Sequence, residues 1–222
     1  MNVTAVLLDT TSIQKYIFGS NRLKENIGAS YLVEEVYRSI LSEAVQSVVP
    51  SVDDAAFSMW EQDPASFRIT DGKTEFEIGY IGGGNALLFF REKERAELFL
   101  RNWTLKLLHK TPGITTATAV NEFNTDNFSS SLAVLFSVLQ KNRYRNVPAV
   151  VIPGHGITAE CPRTGLSAEV WNSSAETYVS SVSHAKIEAA GQAEKMTAVL
   201  FDDLLGDSYS FTSEIDRLGM RK

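Results

Sequence analysis

The apolar positions near the N-terminus predict a buried strand followed by a long helix. The run from Val3 to Leu8 is apolar and β-favouring, and it ends at Asp9. Such a run is typical of a central strand, and a carboxylate at its end projects at the edge of the sheet. Apolar residues then recur at steps of three and four, at Val33, Val36, Ile40, Ala44 and Val48. This spacing predicts a helix over residues 22–48, closed by Pro50.

The middle of the chain reads as a loop followed by a β-hairpin. Residues 51–73 carry turn signals, with a short strand predicted over Phe57 to Trp60. Apolar and polar positions alternate over residues 76–80, and an apolar run covers residues 86–90. The intervening Gly82, Gly83, Gly84 and Asn85 predict a tight turn between two antiparallel strands.

The elements after the hairpin complete a mixed pattern. Helical spacing is predicted over residues 91–110 and again over 127–141, where Asn127 is the predicted N-cap. Strands are predicted over residues 114–120 and 147–152. The order β-α-β-β-α-β, with an extra α-β, is typical of an α+β, ferredoxin-like (βαββαβ) sheet, for which we expect helices on one face.

The character of the chain changes after Pro153. The segment that follows is rich in turn residues and leads into a polar, Ser- and Ala-rich helical stretch. We therefore expect a domain over residues 1–153 and a C-terminal helical appendage over residues 154–222, because about 70 residues with few periodic apolar positions bury little surface.

Composition limits the function classes. The chain has 222 residues with 44% hydrophobic and 22% charged positions, which is typical of a soluble globular protein. A net charge of −6 argues against an indiscriminate basic nucleic-acid-binding surface. The sequence shows no secretory signal and no apolar run long enough to span a membrane, so we expect a cytoplasmic protein without a membrane partner. The single cysteine, Cys161, argues against an internal disulfide and a multi-thiolate zinc site.

The candidate chemistry lies where the first predicted strand meets the hairpin. In a split βαβ sheet, the end of the first strand lies beside the hairpin turn, which brings Asp9 next to Gly82, Gly83, Gly84 and Asn85. A strand-end carboxylate there can hold Mg²⁺, and glycines let a ligand's phosphates approach the backbone. The alternatives are that Asp9 accepts turn hydrogen bonds and that the glycines serve turn geometry alone. Lys141, Arg143 and Arg145 form a basic cluster, for which compensation of the helix dipole is favoured over an RNA contact.

Two segments carry a family resemblance. The stretch DTTSIQKYIFGSNRLKENIGASYLVEE, residues 9–35, resembles the start of the palm domain in the large subunit of type III CRISPR effector complexes. There, a D-x-x-x-I-Q-x-[YF]-I segment leads into a helix with R-L-[KR]-x-x-x-G-[AG]-S. YIGGGNALLFF, residues 80–90, occupies the place of the family's central hairpin. The resemblance covers most of residues 3–152 and implies a nucleotidyl cyclase-like palm.

The resemblance also implies what this chain has lost. Active relatives carry G-G-D-D in the hairpin, and those carboxylates join the strand-end Asp in holding two Mg²⁺ ions. The four positions here are Gly82, Gly83, Gly84 and Asn85, so both acidic positions are gone and Asp9 is the remaining anionic metal ligand. We therefore expect no phosphoryl transfer by this chain alone. The expected function is a catalytically degenerate palm that binds a nucleotide such as ATP, with Mg²⁺ as the implied cofactor, or acts architecturally.

The residues that we expect to bind nucleotide are Asp9, Thr10, Thr11, Ser12, Gly82, Gly83, Gly84 and Asn85. Two other readings stay open: an active cyclase or polymerase completed by carboxylates from outside the chain, and an RNA or protein interaction module. The resemblance implies other effector subunits or a second palm as partners, with RNA contacted indirectly. CPRTG, residues 161–165, resembles a C-x-x-C-G element with Thr164 in place of the second Cys, so zinc is not expected. FTSEIDRLG, residues 211–219, resembles the lead-in to a further palm.

Overall fold

The computed structural model describes residues 1–66, 68–72, 74–145 and 151–205. The chain divides into two compact units. The sheet unit takes its described residues from Met1–Ser12, Glu34–His109 and Ile114–Ala149. The helical unit takes its described residues from Ile13–Val33, Lys110–Gly113 and Val150–Lys222. The predicted division after residue 153 into a domain and an appendage stays a prediction.

An antiparallel sheet forms the centre of the sheet unit. Its strands in the described part of the chain are β1 (Asn2–Thr11), β2 (Phe76–Gly82), β3 (Asn85–Phe90) and β4 (Thr115–Asn124). Their order in the sheet is β2-β3-β1-β4, and each neighbouring pair is antiparallel. Together with the helices this confirms the predicted α+β class.

Helices cover both faces of the sheet, so the prediction of helices on one face is wrong. Every residue from Val3 to Thr10 is buried, as expected for a strand enclosed on both sides. On one face, Ala5 and Leu7 belong to the same buried cluster as Leu135 and Leu139 of α6 (Phe128–Arg143). On the other face lies α5 (Lys93–Lys110).

The contact of α5 with the sheet is aromatic. Its Phe99 lies with its ring centroid 5.3 Å from that of Phe90, which is in register with Thr4 rather than with Ala5. Since directly paired residues of antiparallel strands point to the same side, Phe90 and Leu7 face opposite sides of the sheet. A continuous apolar run such as β1 requires cover on both faces, which is the physical reason for the second layer of helices.

The helix predicted over residues 22–48 is two helices. They are α2 (Leu23–Tyr37) and α3 (Ser39–Gln46), following the short α1 (Ile13–Ile17). The break lies at Arg38, whose φ of −103° and ψ of −92° fall outside the helical region. Val36 and Ile40 are both buried on either side of this break, so the apolar spacing continues where the backbone turns.

The short strand predicted over Phe57 to Trp60 is also wrong. These residues lie in α4 (Asp54–Gln62), which begins after Asp53. The Asp53 carboxylate accepts a hydrogen bond of 2.9 Å from the backbone N–H of Ala56, as an N-cap does. The capping geometry, and not the apolar pattern, decides this segment.

The predictions for α5 and α6 are confirmed within a few residues, but two local details are corrected. Asn127 precedes α6 and makes no side-chain cap hydrogen bond. Asn124 instead accepts from the N–H of Asp126 at 2.8 Å and begins a short 3₁₀ turn, Thr125–Asn127. Of the strand predicted over residues 147–152, the first four lie outside the described residues, and Val151 and Ile152 are not in a strand.

The helical unit is built around α7 (Ser181–Leu205), with a small hairpin of β5 (Val170–Asn172) and β6 (Thr177–Val179). α2 passes very close to α7 at Gly28: a Cβ built there would lie 1.8 Å from the carbonyl oxygen of Lys186. The carboxylate of Glu25, which is fully buried, pairs with Arg163 at 2.5 Å. Residues 211–219, which carry the lead-in resemblance, lie outside the described part of the chain. None of the helices among the described residues is both long and apolar enough to cross a membrane.

Candidate functional site

The glycines of the hairpin are explained first by backbone geometry. Gly82 and Asn85 pair across the turn, and Gly83 and Gly84 form its two-residue loop. Their φ angles are +61° and +84°, the left-handed values that a two-residue type I′ turn requires at both central positions. A Cβ built at Gly82 or Gly83 would meet nothing within 4 Å. The turn therefore requires left-handed backbone conformations at Gly83 and Gly84, and there is free space beside Gly82 and Gly83.

The structure brings Asp9 beside this turn, as the sequence predicts. Asp9 is in register with Asn85 of β3, and the N–H of Thr10 donates to the carbonyl oxygen of Gly84 at 2.8 Å. The three predicted residues after Asp9 take different positions. The hydroxyl of Thr10 shares a hydrogen bond of 2.8 Å with Tyr37, and that of Thr11 donates to the carbonyl oxygen of Thr115.

The carboxylate of Asp9 is paired with an arginine that sequence reasoning assigned to another role. Arg143, at the C-terminal end of α6, donates a hydrogen bond of 3.0 Å from Nε to Oδ2 of Asp9, and its Nη2 makes an ion-pair contact of 2.6 Å with the same oxygen. The Asp9 side chain is 11% exposed and that of Arg143 is 38% exposed. The two residues are 134 positions apart, so only the fold could reveal the pair. This contact is added to the helix-dipole role predicted for the basic cluster.

Two tyrosines near Asp9, Tyr37 and Tyr80, have raised pKa values. Burial raises the pKa of Tyr37 well above its usual value; the hydrogen bond between Tyr37 and Thr10 opposes this shift, and the negative charge of Asp9 adds to it. Burial, with the charge of Asp9 second, also raises the pKa of Tyr80. Both phenols stay neutral and cannot serve as anionic ligands at physiological pH.

An open groove of about 770 Å³ lies along the end of β1, the first half of β4 and the C-terminal end of α6. Its lining is mostly hydroxyl, amide and guanidinium groups, from Thr10, Thr11, Ser12, Thr115, Thr116, Ala117, Thr118, Gln140, Asn142, Arg143, Tyr144 and Arg145. None of these lining residues is acidic. Such a surface suits an anion with several oxygen acceptors.

The predicted site residues thus fall into two groups. Thr10, Thr11 and Ser12 line the groove together with Arg143 and Arg145. Gly82 to Asn85 form the turn between β2 and β3, on the other side of Asp9, and are not among the residues that line the groove. The signal that could have found the groove is the basic RYR triplet at residues 143–145, but its position against β1 depends on tertiary structure.

The described residues do not fit the paired Mg²⁺ site that the family resemblance implies. Such a site needs several carboxylates around the ions. Within the described ranges, no cluster of three or more Asp, Glu, His or Cys side chains is placed to hold a metal ion. Asn85 offers one neutral amide oxygen, and Oδ2 of Asp9 already accepts a hydrogen bond from Nε of Arg143 and contacts its Nη2. A divalent ion at Asp9 would therefore have to share this one carboxylate with the guanidinium.

Neither a comparison with protein-family models nor a comparison with curated proteins found a match for this sequence.

Proposed function

We propose that this chain is a catalytically degenerate palm domain, similar to those of type III CRISPR large subunits, that binds a nucleotide through its phosphates. Support for the palm comes from the strand order. β1 and β2 are each antiparallel to β3, which lies between them, and β4 flanks β1 on the other side. This strand order is the one expected of the split βαβ, ferredoxin-like sheet that we propose.

The observation that carries the proposal is the Asp9–Arg143 pair beside a hairpin without carboxylates. Phosphoryl transfer in the related palms depends on ions held by three carboxylates, whereas here one carboxylate remains and an arginine neutralises it. The adjoining groove still offers hydroxyl and guanidinium donors to an anion. Binding without turnover is the function that this set of groups supports best. The proposal includes assembly with other effector subunits or a second palm.

Calorimetric titration of ATP and GTP into the purified chain tests the proposal. We expect saturable binding and no product from ATP at high protein concentration. Arg145→Ala should weaken binding, since Arg145 lines the groove. Lys141→Ala is the matched control, because Lys141 is an exposed cation of the same helix end that does not line the groove. Product formation would contradict degeneracy, and no binding at millimolar nucleotide would contradict the binding role.

A second candidate is a short single-stranded RNA segment, and one observation favours it. Tyr144 is 86% exposed and lies in sequence between the two groove arginines. An exposed aromatic ring beside cations is typical of surfaces on which bases stack while phosphates are neutralised. Fluorescence anisotropy with a labelled oligonucleotide would then show an affinity that falls steeply with salt and with Tyr144→Ala. If ATP binds and the oligonucleotide does not, the mononucleotide is the ligand.

A further inference from the structure

We infer that the guanidinium of Arg143 takes the place of the metal ions in this site, so that phosphate oxygens bind in the groove without a divalent cation. The inference rests on the proposed function, in that it assumes a phosphate-bearing ligand. Beyond that function, it identifies the group that provides the positive charge for the phosphates, and it implies that nucleotide binding does not depend on Mg²⁺.

Arg143 is held in one position before any ligand arrives. Its partner Asp9 lies in β1, between Asn85 of β3 and Ala117 of β4, so strands on both sides fix the backbone that carries the carboxylate. A hydrogen bond of 3.0 Å from Nε and an ion-pair contact of 2.6 Å from Nη2 then fix the guanidinium. A charged side chain already ordered in this way loses little further conformational entropy on binding.

Arg143 still has donors to offer to a ligand. A guanidinium carries five N–H groups in a plane, and Asp9 accepts a hydrogen bond from Nε while Nη2 makes an ion-pair contact with the same oxygen. No other acceptor for Arg143 is found among the described residues. The side chain is 38% exposed and lines the groove, where two parallel N–H groups match two phosphate oxygens. Arg145 adds a second positive charge to the same groove.

A divalent cation would compete with Arg143 for Asp9. Mg²⁺ prefers oxygen ligands at short, near-octahedral distances, and here it would find one carboxylate, whose Oδ2 is already engaged by Arg143. The positive charge of Arg143 at hydrogen-bond distance from that carboxylate repels a divalent ion. Because burial keeps the nearby phenols neutral, they add no negative charge that would favour the ion. The arrangement therefore favours an anion over a metal.

ATP is the probe for the experiment, titrated calorimetrically into the full chain once with excess Mg²⁺ and once with excess EDTA. We expect the same dissociation constant within about twofold in both. Arg143→Ala should weaken binding at least about tenfold, equivalent to about 1.4 kcal/mol, in either buffer. Arg143→Lys keeps the charge but loses the planar arrangement of N–H donors, so its affinity for ATP should lie between those of the wild type and Arg143→Ala. Lys141→Ala removes the same charge outside the groove and should leave the affinity within about twofold.

Asp9→Asn distinguishes phosphate binding by Arg143 from phosphate binding by a metal ion held on Asp9. Asn keeps an oxygen that can accept from Arg143 and loses the charge that a metal requires, so we expect about a threefold loss at most and no sensitivity to EDTA. Because Arg143→Ala leaves Asp9 without its cation, the double variant Asp9→Asn/Arg143→Ala, checked by thermal unfolding, shows whether weak binding reflects a lost contact or a lost fold. A folded double variant with weak binding supports the inference.

Three results would overturn it. If ATP binds only with Mg²⁺ and Asp9→Asn abolishes binding, the site is a metal site and the proposed nucleotide-binding function survives. If neither EDTA nor Arg143→Ala changes the dissociation constant of ATP, another residue provides the positive charge that binds the phosphates, and the proposed function again survives. If ATP does not bind under either condition, the proposed function and the inference both fail.

Discussion

Gly28 is the position where one added methyl group should change stability most. It lies in α2 against α7, and a Cβ built there would come within 1.8 Å of the carbonyl oxygen of Lys186 and 2.8 Å of the backbone nitrogen of Ala190. Both neighbours are backbone atoms of a helix, so neither can rotate away as a side chain could. Gly28→Ala therefore requires the two helices to separate by more than about 1 Å, which disrupts a close-packed contact.

The magnitude follows from the cost of overpacking. Forcing extra volume into a packed interface costs about 1–3 kcal/mol, and a clash with backbone belongs at the upper end of that range. For a chain of this length, a loss of about 3 kcal/mol corresponds to a fall in Tm of roughly 6–12 °C. The control is Gly191→Ala in α7, where a Cβ would meet nothing within 4 Å. A glycine inside a helix is about 0.5–1 kcal/mol less stable than alanine, so this variant should gain stability.

Thermal unfolding followed by circular dichroism, with a urea titration of each variant, measures both changes. We expect Gly28→Ala and Gly191→Ala to shift Tm in opposite directions. If Gly28→Ala unfolds at the wild-type temperature, or if both variants shift together, then α2 and α7 do not approach as described.

Three further predictions concern a buried pair, a tyrosine and the hairpin turn. Arg163→Met should destabilise the chain by about 3 kcal/mol in urea unfolding because the buried carboxylate of Glu25 loses its hydrogen-bonded cation and keeps only the charge of Lys186 nearby, whereas Glu25→Leu combined with Arg163→Met should cost less than the single change. Tyr37→Phe should be less stable than the wild-type chain at pH 8, because it loses the hydrogen bond with Thr10. Its free energy of unfolding should, however, fall less than that of the wild type when the pH is raised above about 10. Burial raises the pKa of Tyr37, so the neutral phenol makes its full contribution to the free energy of unfolding below about pH 10, and this contribution falls by about 1.4 kcal/mol per pH unit above it. If the free energy of unfolding of both proteins falls equally with pH above about 10, this explanation is wrong. Gly83→Asn should be nearly neutral and Gly83→Val should cost about 1–2 kcal/mol, since a φ of +61° disfavours branched side chains; equal melting temperatures would exclude the left-handed turn.

The sheet was predictable because its signals are local. The apolar run ending at Asp9 and the alternation before the glycine turn are confirmed as β1 and as the hairpin of β2 and β3. The juxtaposition of Asp9 with Asn85 followed from the expected strand order, and the register confirms it. A strand enclosed on both faces should also have predicted a second layer of helices, and the assumption of one layer overlooked that requirement.

The rest depended on backbone geometry and tertiary contacts that a sequence pattern does not carry. The break at Arg38 lies inside an unbroken apolar spacing, and α4 depends on a capping hydrogen bond from Asp53. Most of all, the partner of Asp9 is Arg143, at the end of a helix far along the chain, where a role in dipole compensation was sufficient to explain a basic residue. Spacing therefore located the carboxylate of the site but not the cation that changes its chemistry.

A crystal structure of the chain grown with ATP and EDTA would show directly whether Arg143 binds phosphate without a metal ion. We expect phosphate oxygens within hydrogen-bond distance of the Arg143 guanidinium, in the groove beside Thr10 to Ser12, with the Asp9 pair intact. A nucleotide bound over Gly82 to Asn85, with Arg143 displaced from Asp9, would contradict it.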